Sequence, residues 1–147
     1  MSTPVAVKKL RPNAKLPTYG SEFAAGADLY ACLDAPVVIP AGQRYVVPTG
    51  IAIALPDSNH VALLFARSGL GIKKGICLAN GVGVIDSDYR GEIRVGLANI
   101  SAEDYTVMPG DRIAQLMIAP VVCPQVAFVD ELDETQRGAG GLGSTGR

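Results

Sequence analysis

The side chains able to do chemistry in this chain are few and lie far apart in sequence. Asp86 stands where an apolar, partly β-branched run, 82–85, meets a turn built from Asp86, Ser87, Asp88 and Gly91. A carboxylate at such a junction is held by rigid backbone yet open to solvent. That suits a group that grips a water molecule and takes its proton. The same residues also read as an Asx-type turn in which both aspartates only bond backbone. Arg67 and Ser68 follow directly on the apolar run 61–65. A guanidinium, a hydroxyl and the free N–H groups of a helix start make an anion site; the alternative is a surface arginine beside an ordinary cap. Asp28 is a lone acid in an alanine-rich stretch, and Gln115 a lone amide inside Ile113-Ala114-Gln115-Leu116-Met117-Ile118. A buried amide must be hydrogen-bonded, so Gln115 either ties backbone together or faces a ligand.

Other chemistries are poorly served. His60 is the only histidine, so a Ser-His or Cys-His pair would have to use it. It sits in a polar turn, 56–60, and reads as solvated surface. Cys32, Cys77 and Cys123 are odd in number, far apart and without a CxxC spacing; they read as reduced thiols filling core or interface in a cytoplasmic protein, not as metal ligands. A formal net charge of −1 gives no electrostatic case for nucleic acid or an anionic membrane. No apolar run approaches the roughly 20 residues of a membrane span. The first ten residues carry lysines without a following apolar stretch, which predicts no secretory leader.

These groups need a scaffold. With 147 residues, one domain with a sizeable core is expected. Trp is absent, and 17 Gly and 10 Pro separate short Val/Ile-rich runs, which points to an all-β sandwich or barrel. Strands are expected at 5–10, at 37–39, at 45–55 with a break at Pro48-Thr49-Gly50, at 61–65, at 105–108 and at 112–120. The alanine-rich stretch 24–31 reads as a loop entering a strand. One short helix is expected, capped by Ser68 and ending near Gly75. The run 82–85 and the alternating run Ile93, Val95, Leu97 against Arg94, Gly96, Ala98 read as a β-hairpin around Asp86. Strand 126–129 is expected to close the core. The chain then divides into a barrel, residues 1–133, and a glycine-rich arm, 134–147, that adds nothing to a core. The arm fits GxGxxG over 138–143, but no strand leads in, no helix follows, and Ser144 stands where a P-loop needs Lys. Its exposed N–H groups, bounded by Arg137 and Ser144, suit wrapping a polyphosphate.

Five stretches in order resemble the five motifs of the trimeric deoxyuridine triphosphatase (dUTPase) family: Ala25-Gly26-Ala27-Asp28-Leu29, Ala66-Arg67-Ser68-Gly69-Leu70, the stretch from Gly83 to Gly91, Gly110-Asp111-Arg112-Ile113-Ala114-Gln115-Leu116, and Arg137-Gly138-Ala139-Gly140-Gly141 with Gly143-Ser144-Thr145-Gly146. Each alone is weak; five in order across nearly the whole chain are strong. The resemblance implies a distorted jelly-roll β-barrel with one short helix, assembled as a homotrimer. Three active sites would lie between subunits, each drawing on all three chains. The reaction would be hydrolysis of dUTP to dUMP and pyrophosphate, which keeps uracil out of DNA and supplies dUMP for thymidylate synthesis.

By the same resemblance, Asp86 activates the water that attacks the α-phosphorus. Tyr89 packs under the deoxyribose and excludes a 2′-hydroxyl. Asn80 and the backbone of Val84, Ile85 and Asp86 read the uracil edge, and Arg94 lines the pocket. Arg67, Ser68, Gly69 and Gln115 hold phosphates, and Asp28 positions Mg²⁺ through water. Arg137, Gly143 and Ser144 close the arm over the triphosphate. Leu142 stands where the family usually carries a Phe that stacks on uracil, so the lid should be poorer. These residue types suit phosphoryl transfer, which needs positioning and charge neutralisation more than covalent help. Two other readings on the same fold are a dCTP deaminase, whose catalytic Glu would fall where this chain has Gly96, and a non-catalytic nucleotide-binding trimer, which would have no use for the full set of site residues.

Overall fold

The computed structural model of the chain describes residues 4–141; the expectations for Leu142, Gly143 and Ser144 fall outside the described residues. In chain order come β1 (Ala6–Lys9), β2 (Thr18–Tyr19), β3 (Ala27–Tyr30), β4 (Val37–Ile39), β5 (Arg44–Pro48) and β6 (Ile51–Ala54). They are followed by β7 (His60–Phe65), α1 (Ser68–Lys74), β8 (Ile76–Leu78), β9 (Gly83–Ile85), β10 (Arg94–Asn99), β11 (Tyr105–Val107) and β12 (Arg112–Pro120). All pairings are antiparallel. The largest sheet runs β2-β3-β12-β7-β9, a second runs β5-β10-β8, and two short ribbons pair β1 with β6 and β4 with β11. These short sheets wrap one apolar core in a distorted jelly roll whose sheets do not join into a closed ring of hydrogen bonds.

The core follows from the period-two patterning. Val95 and Leu97 on β10 are buried while Arg94 is exposed, and Ile113, Ala114 and Leu116 on β12 turn inward. Leu29, Ile39, Val47 and Val107 meet them from four other strands. Burying such a side chain is worth about 1.5–3 kcal/mol, so this shared core holds the small sheets together. Cys32 lies within it, and burial pushes its thiol up, away from the reactive thiolate.

Three expectations are corrected. The first concerns the hairpin around Asp86. β9 and β10 are not paired with each other: β9 pairs with β7, whereas β10 lies between β5 and β8. A local reading sees two strands and a turn, but the loop 86–93 crosses from one sheet to the other. Second, 126–129 closes nothing. Val126 is 95% and Phe128 108% exposed, and the stretch after β12 runs without strand pairing. Third, Arg67, not Ser68, occupies the helix cap and makes no side-chain capping bond; Ser68 is already the first helical residue. Gly75 ends α1 as expected, at φ 65. Of the cysteines, Cys32 is buried, Cys77 half-buried and Cys123 exposed on the single chain. His60 opens β7 at the edge of its polar turn and meets Asp57, Nδ1 to Oδ1 at 2.7 Å.

One buried polar side chain joins the smaller sheets. Asn99 is 1% exposed. Its Nδ2 donates to the carbonyls of Ile39 at 2.9 Å and Glu103 at 2.7 Å. Its Oδ1 accepts from the Ser101 N–H at 3.0 Å and the Ser101 hydroxyl at 2.7 Å. Asn99→Ala strands these groups in the interior. It is expected to cost about 2–4 kcal/mol, since each unsatisfied buried group costs roughly 1–3 kcal/mol. Urea midpoints at fixed protein concentration measure this, and a loss under about 1 kcal/mol would mean the groups find other partners.

Candidate active site

Where the loop 86–93 crosses between the sheets, it leaves a cavity of ≈ 260 Å³. That is at the lower edge of the roughly 300–1,000 Å³ of ligand pockets, room for one ring and a sugar. Asn80, Val84, Ile85, Asp86, Tyr89 and Arg94 all line it. They arrive by different routes: Asn80 from the turn after β8, Val84 and Ile85 from β9, Arg94 from the start of β10. Leu64 and Ile93 form its apolar floor, and Glu92 joins it. Asp86 is exposed at the end of β9, as its position between a buried run and a turn implied.

The loop is held from within. The Tyr89 N–H donates to the Asp86 carbonyl at 3.1 Å. Arg90 clamps the loop by donating to the carbonyls of Ser87 at 2.7 Å and Tyr89 at 3.0 Å. The Tyr89 hydroxyl donates to the Glu92 carbonyl at 3.1 Å, which folds its ring back across the loop. The ring lies so close to residue 91 that a Cβ there would collide with it unless the Tyr89 side chain moved.

A second cluster lies on the five-stranded sheet. Gln115 on β12 is flanked by Asp28 on β3 and Phe65 on β7 in one row of cross-strand partners, so the three share a face. Arg67, two residues beyond Phe65, joins that face. Its Nε donates to Asp28 Oδ1 at 2.8 Å. Arg112 closes the other side, Nη1 to Asp28 Oδ2 at 3.2 Å. Asp28 is 4% exposed; it is not a free acid but the shared counter-ion of two guanidiniums. Ser68 and Gly69 open α1 beside Arg67 and are exposed, and Gln115 is half-buried. Tyr105 stands nearby: burial, then the charge of Asp111, push its hydroxyl up, against the pull of Arg67.

The two clusters are apart within one chain. Ile85 pairs with Ala62, so Asp86 leaves the sheet beside Val61. Arg67 lies beyond the other end of β7, about six residues on, or roughly 20 Å at about 3.3 Å per residue. Arg137 is brought to neither cluster: it is exposed on the segment beyond β12, its Nε donating to the Gly140 carbonyl at 2.8 Å. Sequence reading overlooked Arg112 and Glu92. A bulge between Arg112 and Ala114 breaks the register with β3 where Arg112 reaches Asp28, and no local pattern signals it. Glu92 did carry a signal, an acid two residues before Arg94 at the start of a strand.

A family model described as dUTPase matches residues 12–146. Among curated proteins the chain is 54% identical over 132 residues to the deoxyuridine 5'-triphosphate nucleotidohydrolase of Desulfitobacterium hafniense, covering 90% of this chain and 87% of that one. It is 51% identical over 142 residues to that of Syntrophotalea carbinolica, covering 97% and 96%. Among solved structures, the Staphylococcus bacteriophage 80alpha dUTPase G164S mutant with dUpNHpp superposes with a TM-score of 0.90 at 26% identity, covering 99% of this chain and 100% of that one.

Removing the shared counter-ion tests the second cluster. Asp28→Asn leaves Arg67 and Arg112 facing each other without a charge between them. A loss of about 2–4 kcal/mol is expected in denaturant unfolding, near the range for breaking a buried pair. Arg112, the more exposed partner, should cost well under half of that as Arg112→Ala; equal losses would contradict the assignment of Asp28 as the shared centre.

Proposed function

The chain belongs to the dUTPase family and hydrolyses dUTP to dUMP and pyrophosphate; from that premise we propose how its residues divide the reaction. The observation that carries the division is the cavity between the two sheets, which gathers Asn80, Val84, Ile85, Asp86, Tyr89 and Arg94. Asn80 and the backbone of Val84, Ile85 and Asp86 read the uracil edge. A snug fit in this cavity would exclude the thymine methyl, and hydrogen-bond polarity would reject cytosine. Arg94 lines the rim. Tyr89, folded back on its loop, lies under the deoxyribose and excludes a 2′-hydroxyl.

Asp86 accepts the proton of a water molecule as its oxygen attacks the α-phosphorus. The bond from the α-phosphorus to the bridging oxygen breaks, and pyrophosphate leaves. Arg67, Ser68, Gly69 and Gln115 hold the phosphates, with Asp28 fixing Arg67 from behind. Arg137, Gly143 and Ser144 close the arm, residues 134–147, over the triphosphate, and Leu142 covers the uracil as a poorer lid than an aromatic ring.

Mg²⁺ fits this site as a companion of the triphosphate. Among the described residues no three Asp, Glu, His or Cys side chains cluster as a cage. Both oxygens of Asp28 are bonded to arginines. Such a donor set suits a cation held by phosphate oxygens and waters, with Asp28 touching it only through water. Bound there, it neutralises charge on the phosphates.

The same geometry supports assembly as a homotrimer with shared sites. Within one chain Asp86 and Arg67 are roughly 20 Å apart along β7, whereas the α- and γ-phosphorus atoms of one triphosphate lie far closer together. A complete site therefore takes its base pocket from one chain and its phosphate cluster from another. The exposed Val122, Val126, Phe128, Val129 and Leu132 fit burial against a further copy. Free thiols throughout the described chain agree with a cytoplasmic setting.

Asp86→Asn keeps the shape but loses the proton acceptor. dUTP binding should persist while kcat falls about 10²–10⁴-fold, measured by pyrophosphate release; turnover within a few-fold of wild type would remove Asp86 from this role. Co-expressing Asp86→Asn with Arg67→Ala should recover part of the activity that each lacks alone, because mixed trimers contain some intact sites. No recovery in verified mixed trimers would count against sharing between chains.

A further inference from the structure

Glu92 is not a residue to which the proposed reaction assigns any task, yet it is the best-anchored charge at the base pocket. Its side chain is only 12% exposed. Burying a carboxylate that far is costly unless it is bonded, and its bonds come from three separate parts of the chain. Oε1 accepts from the Gly50 N–H at 2.9 Å and lies 3.6 Å from Arg11 Nε. Oε2 accepts from Arg94 Nε at 3.2 Å. The Glu92 carbonyl accepts from the Tyr89 hydroxyl at 3.1 Å.

The two ends of this carboxylate differ. The Gly50 end is fixed: Gly50 sits in the tight β5–β6 turn at φ 70, and its carbonyl accepts from the Leu10 N–H at 2.8 Å. The Arg94 end is the working one. Arg94 is 63% exposed on its side chain, and a long exposed arginine would otherwise sample many rotamers. Bonding its Nε to an anchored carboxylate removes that freedom and leaves its terminal nitrogens for the cavity that it lines. Through its backbone carbonyl Glu92 also holds the Tyr89 hydroxyl.

We propose that Glu92 is a positioning residue of the pyrimidine pocket: anchored on Gly50 and Arg11, it sets Arg94, and with it the affinity for dUTP and the preference for dUTP over dTTP. This rests on the assignment of the cavity as the uracil site. The role requires reach as well as charge. Glu92→Asp keeps the charge, but one methylene less cannot span from Gly50 to Arg94. Glu92→Gln keeps the length and an oxygen for one of the two partners.

The test is steady-state pyrophosphate release with dUTP and dTTP for wild type, Glu92→Gln, Glu92→Asp, Arg94→Ala and Glu92→Asp/Arg94→Ala, alongside each variant's Tm. Glu92→Asp is expected to raise KM for dUTP about tenfold with kcat within about threefold, and to lower the dUTP:dTTP preference by a similar factor. Glu92→Gln should fall between it and wild type. Arg94→Ala should match Glu92→Asp, and the double variant should be no worse than either single, because the two act as one unit. Multiplying effects in the double variant, or a loss confined to kcat or Tm with KM unchanged, overturns the proposal. A wild type that releases pyrophosphate while Arg94→Ala leaves KM and preference unmoved overturns the placement of Arg94 at the base. A wild type inactive on dUTP overturns the underlying reading itself, so the two failures are distinguishable.

Discussion

Strand β9 takes its hydrogen bonds from β7, and β10 takes its own from β5 and β8, so the residues between them have to bridge two sheets. Much of the rest depends on that constraint. A hairpin would have closed the gap with a ladder and left no space; strands committed to different sheets leave a cavity walled on one side by β9. Backbone walls are what a pocket needs if it is to distinguish one pyrimidine from another by shape and by N–H and C=O placement. The loop that spans the gap is correspondingly over-determined. Arg90 clamps its carbonyls, the Tyr89 ring fills the space that Gly91 leaves open, and Glu92 fastens its far end to the β5–β6 turn.

The buried polar residues follow the same economy. Asp28, Thr49 and Asn99 are the buried polar side chains among the described residues, and each adds side-chain bonds to those of the strand ladders. Thr49 donates to the Ile93 carbonyl at 2.6 Å, beside the floor of the cavity. Asn99 ties β10 to β4 and to the turn that follows. Asp28 holds arginines from the ends of β7 and β12. In a core of short sheets the apolar side chains supply most of the stability but little of the register. These directional bonds set how the sheets sit against one another, and so where the site residues stand.

The separation of the cavity at Asp86 from the cluster at Arg67 follows from the antiparallel pairing of β7 with β9, which puts the two residues at opposite ends of one strand. A single chain with this topology keeps the two clusters apart, and the homotrimer proposed above would bring them together from different chains. The exposed apolar stretch beyond β12, with Val126 and Phe128 open to solvent, fits the same proposal.

Much was legible in the sequence because it is local. The strand at 112–120, the break at Thr49-Gly50 and the helix end at Gly75 follow from alternation and turn chemistry alone, and the five spaced motifs carried the family. The position of Asp86 at the junction of a buried run and a turn was legible for the same reason. What tertiary structure decided is pairing. Alternation shows that a run is a strand but says nothing about its partner, so the apparent hairpin dissolved into two sheets. Hydrophobicity marks a segment as needing burial without saying against which chain, so the run at 126–129 was assigned to a core that it does not enter. Charge pairing is equally invisible along the chain. Asp28 and Arg112 are 84 positions apart and meet only because β3 pairs with β12 and a bulge interrupts their register.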